Sequence, residues 1–175
     1  LHDALPIYAD GICHIYVDKD YDMAKAIPIV IDAKTQYTAA CNAAETLLVH
    51  RDIAKDFLPV LEKAAGEKHI RLRGTKEAGK IIPLDIIEDN DFRHEYLDLV
   101  LAVKIVSTVE EAIDHINRYG SHHTDAIITE NINTASRFMQ LVDSAGVYQN
   151  ASTRFADGFR YGFGAEVGIS RSEER

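Results

Sequence analysis

The segment YLDLVLAVKIVSTVEEAIDHINRYGSHHTDAIIT, residues 96–129, decides the fold class. Its first part, YLDLVLAVKIV (96–106), is a long apolar run that predicts a buried strand. VEEAIDHINRYG (109–120) has apolar residues at helical spacing, acids in its first turn and glycine at its end, all typical of an α-helix. DAIIT (125–129) predicts a second buried strand. A strand, a helix and a strand in this order form a right-handed crossover between parallel strands.

The same alternation continues on both sides of this segment. We predict further strands at 13–17, 46–50, 70–73 and 146–151, and further helices at 22–36, 51–66 and 133–143. Pro28 is expected to kink or delay the first helix, and residues 75–92 show little periodicity. The predicted fold class is therefore α/β, with a largely parallel sheet that is covered by helices.

Composition narrows the classes of function. A hydrophobic fraction of 46% in 175 residues is enough for one domain with its own core. The net charge of -9 argues against a nucleic-acid or anionic-membrane surface, because such surfaces need clustered Lys and Arg. With two cysteines, no signal-peptide pattern and no apolar run near the roughly 20 residues that span a bilayer, we expect a cytoplasmic protein.

The segment QYTAACNAAETLLVH (36–50) carries the strongest chemical signal. Cys41 lies between a predicted helix and a predicted strand, among alanines that leave its sulfur approachable. A thiolate there can attack an activated acyl group and form a thioester that hydride can reduce. The backbone amides of Cys41 and Asn42 could hold the oxyanion. By spacing alone, the alternative of a buried structural cysteine is the commoner role for a free Cys.

Two blocks carry a resemblance that favours the catalytic alternative. CNAAETLLVH (41–50) and NASTRFADGFRYGFGAEVGIS (150–170) resemble the glutamate-5-semialdehyde dehydrogenases, a branch of the aldehyde dehydrogenase superfamily. The likeness runs from Tyr8 to Ser170, nearly the whole chain. It implies an aldehyde dehydrogenase-like catalytic domain and the reduction of L-glutamyl 5-phosphate to L-glutamate 5-semialdehyde by NADPH. Phosphate is released in this reaction, the second step of proline synthesis.

The resemblance also implies roles for particular residues. Cys41 is the thioester-forming nucleophile, Glu95 occupies the place of a glutamate that binds the cofactor ribose, and NADP(H) is the cofactor. The substrate-facing set is Ser152, Thr153 and Arg154. A guanidinium suits phosphate or carboxylate because its fork matches two oxygens. The alternatives are a solvated charge for Glu95 and a surface charge for Arg154.

No metal site is predicted. GSHHTD (120–125) contains His122 and His123, but adjacent side chains diverge and no further ligand stands at convincing spacing. We expect these histidines to cap and pack around the strand at 125–129.

The resemblance divides the chain into parts. Residues 9–151 correspond to the cysteine-bearing catalytic domain and 152–170 to a tail that returns to the cofactor domain, whereas 1–8 and 171–175 match no family pattern. Most of the family's dinucleotide-binding half precedes this segment, so we expect the isolated chain to fold but not to catalyse. A homo-oligomer and a glutamate kinase, fused or associated, are the expected partners.

Two alternative functions stay open at this point. One is another oxidoreductase of the aldehyde dehydrogenase superfamily, which should show a glutamate base placed to hydrolyse the thioester. The other is a non-catalytic oligomerisation module. The retention of Cys41, Arg154 and the whole tail motif weighs against that second alternative.

Overall fold

Seven parallel strands form one sheet in the part of the chain that the computed structural model describes, residues 10–162. The strands are β1 (Cys13–Val17), β2 (Ala44–His50), β3 (Arg71–Gly74), β4 (Asp85–Ile86), β5 (Val100–Val106), β6 (Thr124–Ile128) and β7 (Gly146–Gln149). Their order across the sheet is β4-β3-β5-β2-β1-β6-β7, and every neighbouring pair is parallel. The predicted α/β class with a parallel sheet is confirmed.

Four α-helices cover the two faces of this sheet within the described residues. They are α1 (Met23–Thr35), α2 (Ala54–Glu67), α3 (Val109–Tyr119) and α4 (Ile132–Leu141). Side chains of α1 and α2 form one core with one face of β2, where Leu47 and Val49 lie. Leu48 points to the other face and packs in a second core with α3 and α4. Because both faces are covered, β1, β2 and β6 are buried throughout.

Side-chain caps explain where two of the helices begin. Asp22 accepts a hydrogen bond from the backbone N–H of Ala24 at the start of α1, and Thr108 accepts one from Glu111 at the start of α3. Each cap satisfies a backbone donor that has no partner inside its helix. Both helices therefore begin one residue after a short polar side chain.

The structure differs from the sequence-based prediction at Pro28 and at the start of β5, and it adds the short strand β4 within residues 75–92, where no element was predicted. Pro28 was expected to kink or delay the first helix, but α1 begins at Met23 and continues through Pro28 to Thr35. The burial of Ala26 and Val30 against the sheet offsets the missing helical hydrogen bond. The strand predicted from residue 96 begins only at Val100, because Leu97 has a φ of 54°, in the left-handed region that a strand excludes.

Helix α3 carries a buried histidine on its inner face. His115 packs between the rings of Phe92 and Tyr119, with centroid distances of 4.9 and 4.6 Å, and 5.5 Å from the ring of His14. Neither ring nitrogen of His115 has a hydrogen-bond partner within residues 10–162. Burial, and to a smaller extent the nearby His14, lower the pKa of His115 from 6.5 to about 2. The folded protein therefore holds this side chain neutral.

We predict that His115 makes the protein sensitive to acid. Below its ordinary pKa of 6.5 the unfolded chain binds a proton at this position and the folded chain does not, so the free energy of unfolding falls as the pH falls. The loss from this one group is on the order of 3 kcal/mol between pH 7 and pH 4. Urea unfolding across that range should show a shallower acid slope for His115→Phe than for the wild type.

His69 provides the control, because it is exposed and has a φ of 58°, which asparagine tolerates. His69→Asn should keep the wild-type slope. Equal slopes in His115→Phe and the wild type would contradict the prediction.

Candidate active site

Cys41 is exposed on the turn that joins α1 to the amino end of β2, as the sequence predicted for a cysteine between a helix and a strand. The chain leading into β1 lies directly against the backbone of this turn. A Cβ on Gly11 would stand 2.2 Å from the carbonyl oxygen of Cys41, so only glycine fits at this close approach. The Cys13 thiol donates a hydrogen bond to the same oxygen at 3.2 Å. The backbone of Cys41 is thus supported from β1.

Asn42 connects this turn to the chain that follows β7. Its side chain is buried, and its Nδ2 donates to the carbonyl oxygen of Ala156 at 2.8 Å. Its Oδ1 accepts a hydrogen bond from Nη1 of Arg154. A third link joins Arg160 Nη2 to Oε1 of Gln36, at 2.6 Å. Two predicted site residues that are far apart in sequence, Asn42 and Arg154, are therefore in contact.

Ser152 and Thr153 form the turn that presents Arg154. The Ser152 hydroxyl accepts from the backbone N–H of Arg154 at 3.2 Å and caps a single 3₁₀ turn, Thr153–Phe155. Thr153 is fully buried, and among the described residues neither its Oγ1 nor Nε of Arg154 has a hydrogen-bond partner. Of the three, Arg154 is the one whose side chain reaches the cysteine turn. Residues 163–170 of the predicted tail lie outside the described residues.

Glu95 lies on the other side of Gly11. Its Oε1 accepts a hydrogen bond from the Gly11 backbone N–H at 2.9 Å. Gly11 therefore contacts Glu95 through its amide and Cys41 through its Cα. The structure brings the predicted cofactor residue and the predicted nucleophile to the same backbone segment.

The sequence reasoning missed a buried ion pair beside this turn. Lys34 and Glu45 are 0% and 1% exposed, and Nζ lies 2.9 Å from Oε2. Burial raises the pKa of Glu45 to about 7 and lowers the pKa of Lys34, although each partner opposes the shift of the other. The available signal was a lysine on the apolar face of α1, beside Ala33 and four residues after Val30, together with a glutamate in an apolar strand.

The histidines singled out in the sequence have structural contacts. Nδ1 of His123 lies 2.8 Å from Oγ1 of Thr124 at the start of β6, which fits the expected packing around this strand. Nδ1 of His122 lies near the carbonyl oxygen of Asp143. Between residues 10 and 162, no group of three or more His, Cys, Asp or Glu side chains is arranged to hold a metal ion. In the same part of the chain, no helix is long and apolar enough to cross a bilayer.

Solved structures share this fold. A propionaldehyde dehydrogenase from Clostridium phytofermentans covers 85% of the chain with a TM-score of 0.65 at 17% identity, and the chain covers 42% of it. An engineered glycolyl-CoA reductase with bound NADP+ covers 89% of the chain with a TM-score of 0.66 at 15% identity, and the chain covers 43% of it. At these identities the likeness shows the fold alone. The fold is aldehyde dehydrogenase-like.

Similarity in sequence is much higher to one branch of this class. The γ-glutamyl phosphate reductase 1 of Synechocystis sp. is 62% identical over 163 residues, which are 93% of the chain and 38% of the relative. The crystal structure of the γ-glutamyl phosphate reductase of Thermotoga maritima is 47% identical, with a TM-score of 0.90 over 94% of the chain and 40% of that structure. No family model matches the chain. Over nearly its whole length the chain is similar to γ-glutamyl phosphate reductases, and it spans less than half the length of these relatives.

We predict that the two thiols differ strongly in reactivity. Cys13 is fully buried, and burial together with the charge of Asp125 raises its pKa well above the usual range, whereas Cys41 is exposed. The thiolate is the reactive form. Iodoacetamide labelling of the native chain, followed by peptide mapping, should therefore modify Cys41 before Cys13. The two cysteines should be labelled at similar rates in denaturant, which provides the control. Earlier labelling of Cys13 in the native chain would contradict this placement of the two thiols.

Proposed function

We propose that this chain is the cysteine-bearing part of an NADPH-dependent reductase that converts L-glutamyl 5-phosphate into L-glutamate 5-semialdehyde and phosphate. One observation carries the proposal. Cys41 is exposed, and the side chain of the next residue, Asn42, is hydrogen-bonded to Arg154. A nucleophile and a guanidinium that suits phosphate or carboxylate are thereby held on one surface. The sequence relatives that carry the name of this reductase support the choice of substrate.

The chemistry we propose at Cys41 is acyl transfer. The thiolate attacks the acyl carbon of the mixed anhydride, a C–S bond forms, and the C–O bond to phosphate breaks, so that phosphate leaves with the electron pair. The product is a thioester on Cys41. The backbone amides of Cys41 and Asn42 are our candidates for stabilising the oxyanion that develops during this attack. Contact of Gly11 and Cys13 with the Cys41 carbonyl oxygen would keep these amides in place.

Arg154 is the residue we assign to the anionic groups of the substrate. One nitrogen, Nη1, is engaged by Asn42, which fixes the direction of the guanidinium. An arginine has five N–H donors, so others can bind a phosphate or carboxylate. Ser152 and Thr153 belong to the same proposed substrate site, because they build the turn that carries Arg154.

We assign Glu95 to the binding of NADP(H). The carboxylate fits this role, because Gly11 engages Oε1 and a carboxylate has a second oxygen that can accept from a ribose hydroxyl. When bound, a nicotinamide cofactor supplies the hydride that converts a thioester into an aldehyde. Glu95 and Cys41 both contact Gly11, so Glu95 would orient this cofactor beside Cys41.

The remaining parts of the proposal concern the whole protein. Residues 9–151 form its catalytic domain, and residues 152–170 form a tail that returns to a cofactor-binding domain. Within the described residues, Arg154, Ala156 and Arg160 are hydrogen-bonded to the cysteine turn, so the first part of this tail packs against residues 36–42. A cytoplasmic homo-oligomer that works with a glutamate kinase completes the proposal.

We predict that Cys41→Ala abolishes turnover in a full-length reductase that carries this segment. Removing a covalent nucleophile should lower kcat on the order of 10³-fold or more. The assay is the phosphate-dependent oxidation of glutamate semialdehyde, followed by the formation of NADPH. An unchanged thermal midpoint would show that the variant is folded.

Cys13→Ala is the matched control, because it removes the only other thiol of the chain, which is buried. It should keep kcat within about one order of magnitude, because it removes only the weak S–H hydrogen bond to the Cys41 carbonyl oxygen, whereas the close approach of Gly11 to that oxygen remains. Near-normal turnover in Cys41→Ala would overturn the proposed function and favour a non-catalytic role for this chain.

A further inference from the structure

The buried ion pair of Lys34 and Glu45 takes no part in the steps proposed above, yet it stands at both ends of the turn that holds Cys41. Lys34 lies in the last turn of α1 and Glu45 in the first part of β2. Their side chains meet at 2.9 Å with almost no exposure to solvent. The contact therefore holds together the two ends of the segment 36–43, which contains Cys41.

Stability alone does not account for this pair. Removing two charges from water is unfavourable. A protein with apolar residues of similar volume in place of a buried ion pair is often equally stable or more stable. The exposed pair between Lys25 and Glu130 shows the contrast, since it has the same residue types and its lysine lies on the same helix α1, yet at 2.8 Å about half of each side chain is in solvent. A buried pair beside the cysteine turn is better explained by the geometry that it imposes.

The pair also reaches the segment that contains Glu95. The backbone N–H of Tyr96 donates to the same Oε2 of Glu45 at 3.3 Å, and the charges of Asp98 and Glu95 act on Lys34. Glu95 in turn holds Gly11, which touches the carbonyl oxygen of Cys41. These contacts surround Cys41 and link four segments: the end of α1, the start of β2, the segment before β5 and the segment before β1.

We propose that Lys34 and Glu45 form a positioning pair, which fixes the Cys41 turn relative to Glu95 without contacting substrate. The proposal rests on the proposed function in one respect, because it takes Cys41 as the nucleophile. If the pair is lost, the turn shifts and the thiol is misplaced against the acyl carbon. A misplacement of about 1 Å can reduce turnover by about 10²-fold, whereas substrate binding elsewhere is little affected.

The test is the double variant Lys34→Met/Glu45→Met in a full-length reductase that carries this segment. Both charges are removed together, so no unpaired charge stays buried and folding should be retained. We expect kcat to fall about 10- to 100-fold while KM for the acyl phosphate stays within about threefold. Amide exchange across residues 36–43 should become faster, and exchange in β2 and β5 should not change.

Lys25→Met/Glu130→Met is the matched control and should keep the wild-type kcat, because that pair is exposed and distant in sequence from the turn. If the double variant at Lys34 and Glu45 fails to fold, Lys34→Met/Glu45→Gln leaves no buried charge, keeps an acceptor for the Tyr96 N–H and decides the matter by the same two measurements. Wild-type kcat together with wild-type exchange at 36–43 would overturn the positioning role. Normal turnover in Cys41→Ala would overturn the proposed function instead, and the exchange measurement would still test the pair.

Discussion

The parallel pairing of β1 with β2 is the constraint on which the candidate site depends. The register places Cys13 opposite Ala44, so the chain before β1 runs beside the turn before β2. Gly11 permits this approach because it has no side chain, and its amide and Cα serve two different neighbours. Cys41 is therefore attached to the central part of a buried sheet by backbone contacts. Such an attachment is stiffer than one made by surface side chains.

The contacts of the tail follow from this arrangement. The chain after β7 has to return to the cysteine turn for Asn42 to bind Arg154 and Ala156. Both the Nδ2 and the Oδ1 of Asn42 are hydrogen-bonded to this returning segment. Asn42 therefore joins the two blocks of sequence that carried the resemblance. The side chain of Asn42 thus holds the tail, while its backbone amide is left for the oxyanion role that we propose.

Sequence patterns predicted most of the elements but could not predict their order in space. Apolar runs located all of the long strands, and helical spacing located the four α-helices, within a few residues. The predicted start of β5 was wrong because the left-handed backbone at Leu97 is a property of the folded chain, and an apolar sequence pattern does not indicate it. The position of β5 between β3 and β2 was also beyond reach, because buried strands of similar composition can pair in many orders.

Some residues of the candidate site could be predicted from the sequence, and others only the folded structure shows. Cys41 stood out by its junction and its small neighbours, whereas the roles of Glu95 and Arg154 came from the resemblance. Lys34 and Glu45 were missed because charged residues are expected at the surface, and only the tertiary contact shows that each neutralises the other. The contact of Asn42 with Arg154 joins residues 112 positions apart, a separation over which local patterns carry no information.

The order of the strands also shapes how this chain must fold as it leaves the ribosome. β2 and β3 are made well before β5, yet β5 lies between them in the finished sheet. Until β5 arrives, β2 offers an unpaired edge of seven residues, AETLLVH, most of them apolar. Non-local parallel pairing of this kind is slow, and the exposed edge is a template for pairing with another nascent chain. The same insertion that buries β2 in the native sheet therefore leaves its edge open to such pairing until β5 has been made.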